Sequence, residues 1–242
     1  MLSYPARELM TSSITLSHNE LKALLSRTFE SLYGHKRDYS DMADCVLWLE
    51  CHGHDGVDQL VQALPNLQTK NLHNPTQSEL AVNHHVVDGK GHSLFCLMQS
   101  ICELALFYAQ ENNYSRIDVT NVSDTRSLLG VLSYAASQGF AARAVYDGAI
   151  ATINKGDKCP TIIAIDKTGP KGLICAQLQS ELPELKGKEG SVLMTPATQK
   201  EAYHASLQHG LTLKRTHYET LNKVANEILV EATEASRRGA GE

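Results

Sequence analysis

Long apolar runs are missing from this sequence. No uninterrupted apolar stretch approaches the roughly 20 residues that a membrane-spanning helix requires. The first residues, Met1 to Thr11, carry Arg7 and Glu8 where a secretory signal peptide needs an apolar segment. These absences argue against a membrane protein and against a secreted one. They predict a cytoplasmic protein with no membrane partner.

Clusters of positive charge are equally scarce. No basic cluster is longer than two residues, as in Arg237-Arg238, and the formal net charge is -5. Proteins that bind nucleic acid gather Lys and Arg on one face, so we expect no nucleic-acid partner. With 42% hydrophobic and 20% charged residues, the composition is instead that of a globular protein with a substantial core.

The cysteines and histidines show no metal-binding spacing. None of the six cysteines forms a CxxC pair, and none of the eleven histidines forms an HxxxH pair on a helix. Free cysteine behaves as a small hydrophobe, so we predict six buried free thiols and no metal site.

The signals for secondary structure alternate between helix and strand. Ser17 to Glu20 fits the S-x-x-E capping box, and Thr195-Pro196 places proline at the start of another helix. Apolar periodicity predicts helices over residues 17–33, 40–50, 57–64, 93–111, 125–138 and 214–237, with Gly34 and Pro65 closing the first and third. Strands are predicted over 80–87, 116–122, 140–145, 160–166, 173–178 and 191–194, those at 160–166 and 173–178 forming a hairpin.

This order predicts an α/β fold. It has an N-terminal helical unit over residues 1–76, a βαβ-containing mixed sheet with flanking helices over 77–190, and a C-terminal strand and helices over 191–242. The three stretches are separate units or one compact domain. The last helix is long, and Tyr218, Leu221, Ala225 and Ile228 form an apolar stripe along it. We interpret that stripe as internal packing or as the seam of a homo-oligomer.

Familiar catalytic motifs are absent. The chain has no GxGxxG after a strand, no GxxxxGK[ST], no GxSxG and no HExxH. The chemistry must therefore be sought in the overall organisation of the chain.

That organisation resembles a known superfamily. A helical pair leads into a segment from His52 to Leu60, then come a strand, Asp88-Gly89, a long helix, and Val119-Thr120-Asn121 before a further helix. From Ile14 to Asp147, this is similar to the type-2 malate/lactate dehydrogenases, which include ureidoglycolate and sulfolactate dehydrogenases. The segments from Leu16 to Leu21 and from Trp48 to Gly56 more closely resemble a bacterial domain family without an assigned activity.

The resemblance implies candidate site residues. The family's Ser-His-Gly matches either Cys51-His52-Gly53 or His54-Asp55-Gly56, which makes His52 or His54 a candidate acid/base and Asp55 a substrate contact. The family's second histidine falls on Asp124, a candidate catalytic residue although a carboxylate near its ordinary pKa of ~3.9 is a poor proton donor at neutral pH. Asn121 and Arg126 are candidates for binding substrate, Arg126 through a carboxylate.

Each candidate also has a structural interpretation. His52 and His54 stand at a helix end and can cap the carbonyl groups of the preceding turn. Asp124 can serve as the N-cap of the helix that begins at Thr125. Arg126 can be a solvated helix residue.

Two functions follow from the resemblance. One is a diverged, non-catalytic homologue that binds a small-molecule ligand. The alternative is an NAD(P)-dependent oxidoreductase acting on a small 2-hydroxy or 2-keto acid, and the sequence leaves open whether the chain is an enzyme. Since ligands in open α/β sheets gather beyond the carboxyl ends of strands, we expect the loop 52–56 and the strand end 121–124 to meet at one cleft. The resemblance also implies a homo-oligomer.

Overall fold

A computed structural model describes residues 13–33, 39–68, 72–165, 170–177, 182 and 190–227. Its helices are α1 (His18–Tyr33), α2 (Ser40–Cys51), α3 (Gly56–Leu67), α4 (Met98–Asn112), α5 (Leu132–Ser137), α6 (Pro196–His209) and α7 (Arg215–Asn226). Its strands are β1 (Ser13–Leu16), β2 (Thr76–Ala81), β3 (His84–Asp88), β4 (Tyr114–Thr120), β5 (Ala141–Tyr146), β6 (Ala149–Ile153), β7 (Thr161–Ala164), β8 (Gly172–Ala176), β9 (Val192–Met194) and β10 (Leu211–Lys214).

The predicted mixed α/β fold is confirmed. Eight strands form one sheet in the order β2-β3-β4-β8-β5-β6-β7-β9. The β3-α4-β4 crossover gives the parallel pair that the sequence predicts. Strand β8 lies between β4 and β5 and is antiparallel to both, so β4 and β5 run in the same direction. Their carboxyl ends therefore lie at the same edge of the sheet.

The two ends of the described chain pack together. Strand β1 pairs with β10, and α1 packs against α7. Leu221 and Ala225 of the predicted stripe are buried, and the Thr28 hydroxyl donates to the Leu221 carbonyl. This part of the stripe is internal packing, while Ile228 lies outside the described residues. The three-part domain division and the homo-oligomer stay predictions.

The capping box predicted at Ser17 forms, and Pro196 begins α6 as predicted. The Glu20 carboxylate accepts from the Ser17 backbone N–H at 2.7 Å, while the Ser17 hydroxyl accepts from the Glu20 N–H. Thr195 and Thr198 form the corresponding box at the start of α6. Gly34, the predicted end of the first helix, lies outside the described residues.

Several predicted elements were wrong. The strand over 80–87 is the hairpin β2–β3, whose first strand is fully exposed at the sheet edge and so lacks alternation. The hairpin over 160–178 does not form: β7 pairs with β6 and β9, and β8 is central, because such apolar runs are buried between other strands. Pro65 lies inside the last turn of α3. The helix from Thr125 begins as a 3-10 helix over Thr125–Val131, and the one from Ser93 as the 3-10 turn Leu94–Cys96.

Close packing of α2 on α3 fixes the loop between them. A Cβ atom added at Gly56 would lie 2.4 Å from the Val46 carbonyl oxygen and 2.9 Å from the Glu50 backbone nitrogen. The Glu50 carboxylate also accepts from the Val57 backbone N–H at 2.8 Å. These contacts hold the loop between α2 and α3 close against α2. Only glycine fits at the end of this loop.

We predict that Gly56→Ala lowers the free energy of unfolding by about 1–3 kcal/mol, because the added methyl group meets backbone atoms that cannot move aside. Denaturant unfolding measures it. Glu201→Ala on the exposed face of α6 is the control and should change stability by less than about 0.5 kcal/mol. A Gly56→Ala protein as stable as this control would show that the helices are not in close contact.

The prediction of free thiols is confirmed, because none of the six cysteines forms a disulfide bond. Five are buried and Cys96 is half-buried. Burial raises the pKa of Cys51 to about 11 and that of Cys102 to about 12. Since the thiolate is the reactive form, these thiols are inert in the folded protein.

A thiol reagent should therefore modify Cys96 first in the native protein and all six cysteines after unfolding without reductant. Cys96→Ala should remove the fast phase and leave the slow phases unchanged. Fewer than six reactive thiols in the unfolded protein, or a fast phase that survives in Cys96→Ala, would contradict this arrangement.

Candidate functional site

A cleft opens beyond the carboxyl ends of β4 and β5. Its volume is about 560 Å³, within the range of small-molecule sites. Four segments build its walls: the α2–α3 loop with α3, the turn after β4, the β5–β6 turn, and β7 with β9. The lining residues are His54, Asp55, Asp58, Gln59, Gln62, Asp124, Thr125, Arg126, Tyr146, Asp147, Gly148, Ala149, Ile162, Leu193 and Met194.

His54 is the buried histidine of this wall, with 1% of its surface exposed. Its Nε2 lies 3.1 Å from the side-chain oxygen of Gln199 on α6. The Gln199 amide nitrogen donates to the carbonyl oxygens of Pro160 at 2.6 Å and Thr195 at 3.1 Å. Because both amide hydrogens are committed to carbonyl groups, the amide oxygen faces His54. His54 Nε2 must therefore carry the hydrogen.

This arrangement makes His54 Nδ1 a hydrogen-bond acceptor. In the neutral imidazole the second ring nitrogen has a lone pair and no hydrogen. Within the described ranges, Nδ1 is buried and has no hydrogen-bond partner. Burial, with a smaller contribution from the positive charge of Arg126, lowers the pKa of His54 to about 4. The ring is therefore neutral at pH 7, and its Nδ1 is an acceptor that no described group of the protein uses.

His52 lies outside the cleft. Its ring stacks between those of Trp48 and Tyr203, at centroid distances of 4.3 and 5.0 Å. Its Nδ1 lies 2.7 Å from the Trp48 carbonyl oxygen, so it donates to the end of α2. The pKa of His52 is lowered, mainly because its ring is buried. The capping interpretation fits His52, and the structure does not bring it together with the other candidates.

Asp55 and Asp124 line the cleft from left-handed backbone conformations, with φ of 53° and 57°. Asp124 holds the predicted N-cap position, but its carboxylate makes no capping bond to the following turn. It accepts from the Ser123 hydroxyl at 2.7 Å instead. Non-glycine residues in this conformation are strained, and such strain concentrates at functional sites.

Arg126 lies on the same wall and is exposed. Across the described part of the chain, its guanidinium makes no hydrogen bond and no ion pair. Asn121 is placed elsewhere: its amide nitrogen donates to an Asp88 carboxylate oxygen at 2.9 Å. Asn121 joins the turns after β3 and β4 and does not line the cleft.

Two further carboxylates of the wall have partners. Asp58 lies 3.3 Å from the Lys214 ammonium, and Asp147 lies 2.5 Å from that of Lys171 and accepts from the Thr125 hydroxyl. The Asp55 and Asp124 carboxylates have no ion-pair partner among the described residues. The cleft thus presents two unpaired negative charges and one unpaired positive charge.

Sequence reasoning missed several of these residues. Tyr146 and Asp147 follow a strand that was predicted, so the rule about strand ends could have found them. Burial raises the pKa of Tyr146 to about 12, which keeps its hydroxyl protonated. Gln199 carries no signal, because a glutamine in a helix is ordinarily a solvated residue. No cluster of three or more His, Cys, Asp or Glu in the described ranges is placed to hold a metal ion.

Within residues 13–227, as far as they are described, no helix combines the length and the apolar character needed to cross a bilayer.

Comparison with known proteins bears on the fold. A family model described as "Protein of unknown function (DUF3726)" matches residues 16–102. No curated protein matches the chain. The structure of a dehydrogenase from Sinorhizobium meliloti is similar with a TM-score of 0.67 and 10% identity, covering 88% of this chain and 100% of that one.

Two further solved structures agree. Malate dehydrogenase from Pyrococcus horikoshii OT3 gives a TM-score of 0.65 at 12% identity, over 90% of this chain and 97% of that one. Sulfolactate dehydrogenase from Methanocaldococcus jannaschii gives a TM-score of 0.62 at 12% identity, over 90% of this chain and 98% of that one. The resemblance seen in the sequence is confirmed as a resemblance of fold at low identity. The chain therefore has the fold of the malate/lactate and sulfolactate dehydrogenases, in a strongly diverged sequence.

Proposed function

We propose that this protein binds a small polar molecule in the cleft and does so as a diverged, non-catalytic relative of the dehydrogenases. The observation that carries the proposal is His54 Nδ1, a buried acceptor that no described group of the protein satisfies. Leaving such an atom unpaired costs about 1–3 kcal/mol. A ligand that donates to Nδ1 recovers that energy, with Asp55, Asp124 and Arg126 available for its other groups.

The same geometry argues against proton donation by His54. Its single N–H bond points to Gln199, and Gln199 is held by two carbonyl groups. Donation to a substrate oxygen would require the ring and the glutamine amide to turn together. Asp124, at the position of the second family histidine, accepts a hydrogen bond from Ser123. Both groups are arranged to accept hydrogen bonds, which suits binding more than acid catalysis.

The charge of the cleft also opposes the cofactor that the resemblance implies. NAD(P) carries a pyrophosphate, which proteins bind with backbone N–H groups at helix starts or with cationic side chains. Here Asp55, Asp58, Asp124 and Asp147 line the wall, and Arg126 is its one cation without an ion pair in the described ranges. These residues do not fit a dinucleotide such as NAD(P).

The neutral state of His54 predicts a pH dependence of stability. Its pKa of about 4 in the folded protein lies below the ~6.5 of a solvated histidine, so the unfolded chain binds the proton first as the pH falls. Stability contributed by this group is complete above pH ~6.5 and decreases towards pH ~4, by about 3 kcal/mol in total.

His54→Gln should remove this part of the slope while keeping a side chain that can donate to Gln199. Unfolding by denaturant at several pH values between ~4 and ~6.5 measures the difference between the two proteins. His204→Gln, an exposed histidine of α6, is the matched control and should keep the native slope. If His54→Gln and the native protein lose stability in parallel, His54 is not a buried neutral ring.

The binding proposal itself is tested with Asp124→Asn. Ligand-observed NMR with a panel of small amines, acids, alcohols and amides should find compounds that bind the native protein. Loss of a charge-assisted hydrogen bond should weaken that binding about 10-fold or more. Unfolding stability should change by less than about 1 kcal/mol, because the asparagine oxygen can still accept from Ser123.

Asp157→Asn, an exposed aspartate outside the cleft, is the charge-matched control and should bind as the native protein does. NADH fluorescence gives the complementary measurement, with affinity expected to be weaker than about 1 mM. A panel without any binder, or affinities that Asp124→Asn leaves unchanged, would refute the proposal. Micromolar NADH binding would favour the oxidoreductase.

A further inference from the structure

We propose that the cleft selects a zwitterion: a small molecule that carries a protonated amine and a carboxylate next to an apolar chain, as an α-amino acid does. This inference rests on the proposed binding function and adds the chemical class of the ligand. It differs from the 2-hydroxy and 2-keto acids that the resemblance implies, because it requires a cationic donor.

The acceptors of the cleft call for a cationic donor. His54 Nδ1 is a buried lone pair, and Asp55 and Asp124 bring two carboxylates without ion-pair partners among the described residues. An ammonium group has three N–H donors and a positive charge, so it can satisfy several such acceptors together. A 2-keto acid has no donor at its reactive carbon. It would bring a further negative charge to the wall and leave His54 Nδ1 unpaired.

Arg126, on the same wall of the cleft, calls for an anion. Its guanidinium is exposed and has no ion pair or hydrogen bond in the described ranges. The planar fork of arginine binds carboxylates through two parallel hydrogen bonds. A ligand with a carboxylate uses this group, and a simple amine does not. The opposite charges of the wall therefore match the opposite charges of one zwitterion.

An apolar surface completes the match. Ile162, Leu193 and Met194 line the same cleft from β7 and β9. A volume of about 560 Å³ accommodates an aliphatic chain of several carbons beside the charged end. We therefore expect a side chain larger than a methyl group to contribute through burial of its apolar area.

Three probes with the same six-carbon chain separate these contributions. DL-norleucine carries both charges, 2-oxohexanoate carries only the carboxylate, and 1-hexylamine carries only the ammonium. Calorimetry or ligand-observed NMR on the native protein measures each affinity. We expect norleucine to bind about 10-fold or more tightly than either of the others, since each missing charge removes a charge-assisted contact.

Two variants test which residue of the protein binds each charge of the ligand. Asp124→Asn should weaken norleucine and hexylamine, whereas Arg126→Gln should weaken norleucine and oxohexanoate and leave hexylamine unchanged. Lys155→Gln, an exposed lysine outside the cleft, is the control for Arg126→Gln, and Asp157→Asn is the control for Asp124→Asn. Both controls should bind norleucine as the native protein does.

The outcomes distinguish this inference from the proposed function. If oxohexanoate binds more tightly than norleucine, or if only uncharged members of the panel bind, the zwitterion is refuted while ligand binding stands. If hexylamine equals norleucine, the role of Arg126 is refuted. If neither the three probes nor any panel compound binds, the proposed function and this inference fail together.

Discussion

The hydrogen bond between His54 and Gln199 determines the character of the cleft. Gln199 stands on the first turn of α6, and its amide nitrogen holds the carbonyl oxygens of Pro160 and Thr195. Through its oxygen, it orients a histidine that is 145 positions away in the sequence. One buried amide thus ties the α2–α3 loop, the start of β7 and α6 together. The side-chain tautomer and the unused acceptor of His54 follow from it, while burial keeps the ring neutral.

Charge then decides which chemistry the fold can support. The solved structures that share this fold include malate and sulfolactate dehydrogenases. A fold by itself does not fix a function, which depends on the side chains placed at the site. In this chain the wall of the cleft holds more carboxylates than unpaired cations, and Nδ1 of its buried histidine is an acceptor without a partner among the described residues. The scaffold is shared, and we propose that the site binds a different class of small molecule.

Local signals predicted much of the fold. The capping box at Ser17 and the helix start at Pro196 depend on residues within one turn, so the sequence contains all that they need. The β3-α4-β4 crossover follows from the order of elements and the handedness of such units. The placement of β8 between β4 and β5 could not be predicted, because an apolar strand is compatible with any buried position in a sheet.

The candidate site, like the fold, could be predicted from the sequence only in part. The placement of His54, Asp55, Asp124 and Arg126 in one cleft agrees with the topological expectation, since strand ends gather at one edge. Spacing could not separate His54 from His52, because both stand at the end of α2 and only the tertiary contacts differ. Gln199 could not be identified from the sequence for the same reason. Its importance comes from partners at Pro160 and His54, which no local pattern reveals.

The tautomer of His54 is the most direct measure of this account. Long-range ¹H–¹⁵N NMR of the histidine side chains at pH 7, with His54→Gln used to assign the resonance, reports which ring nitrogen carries hydrogen. The account predicts a neutral ring with hydrogen on Nε2 and a lone pair on Nδ1. A ring protonated on Nδ1, or on both nitrogens, would contradict it.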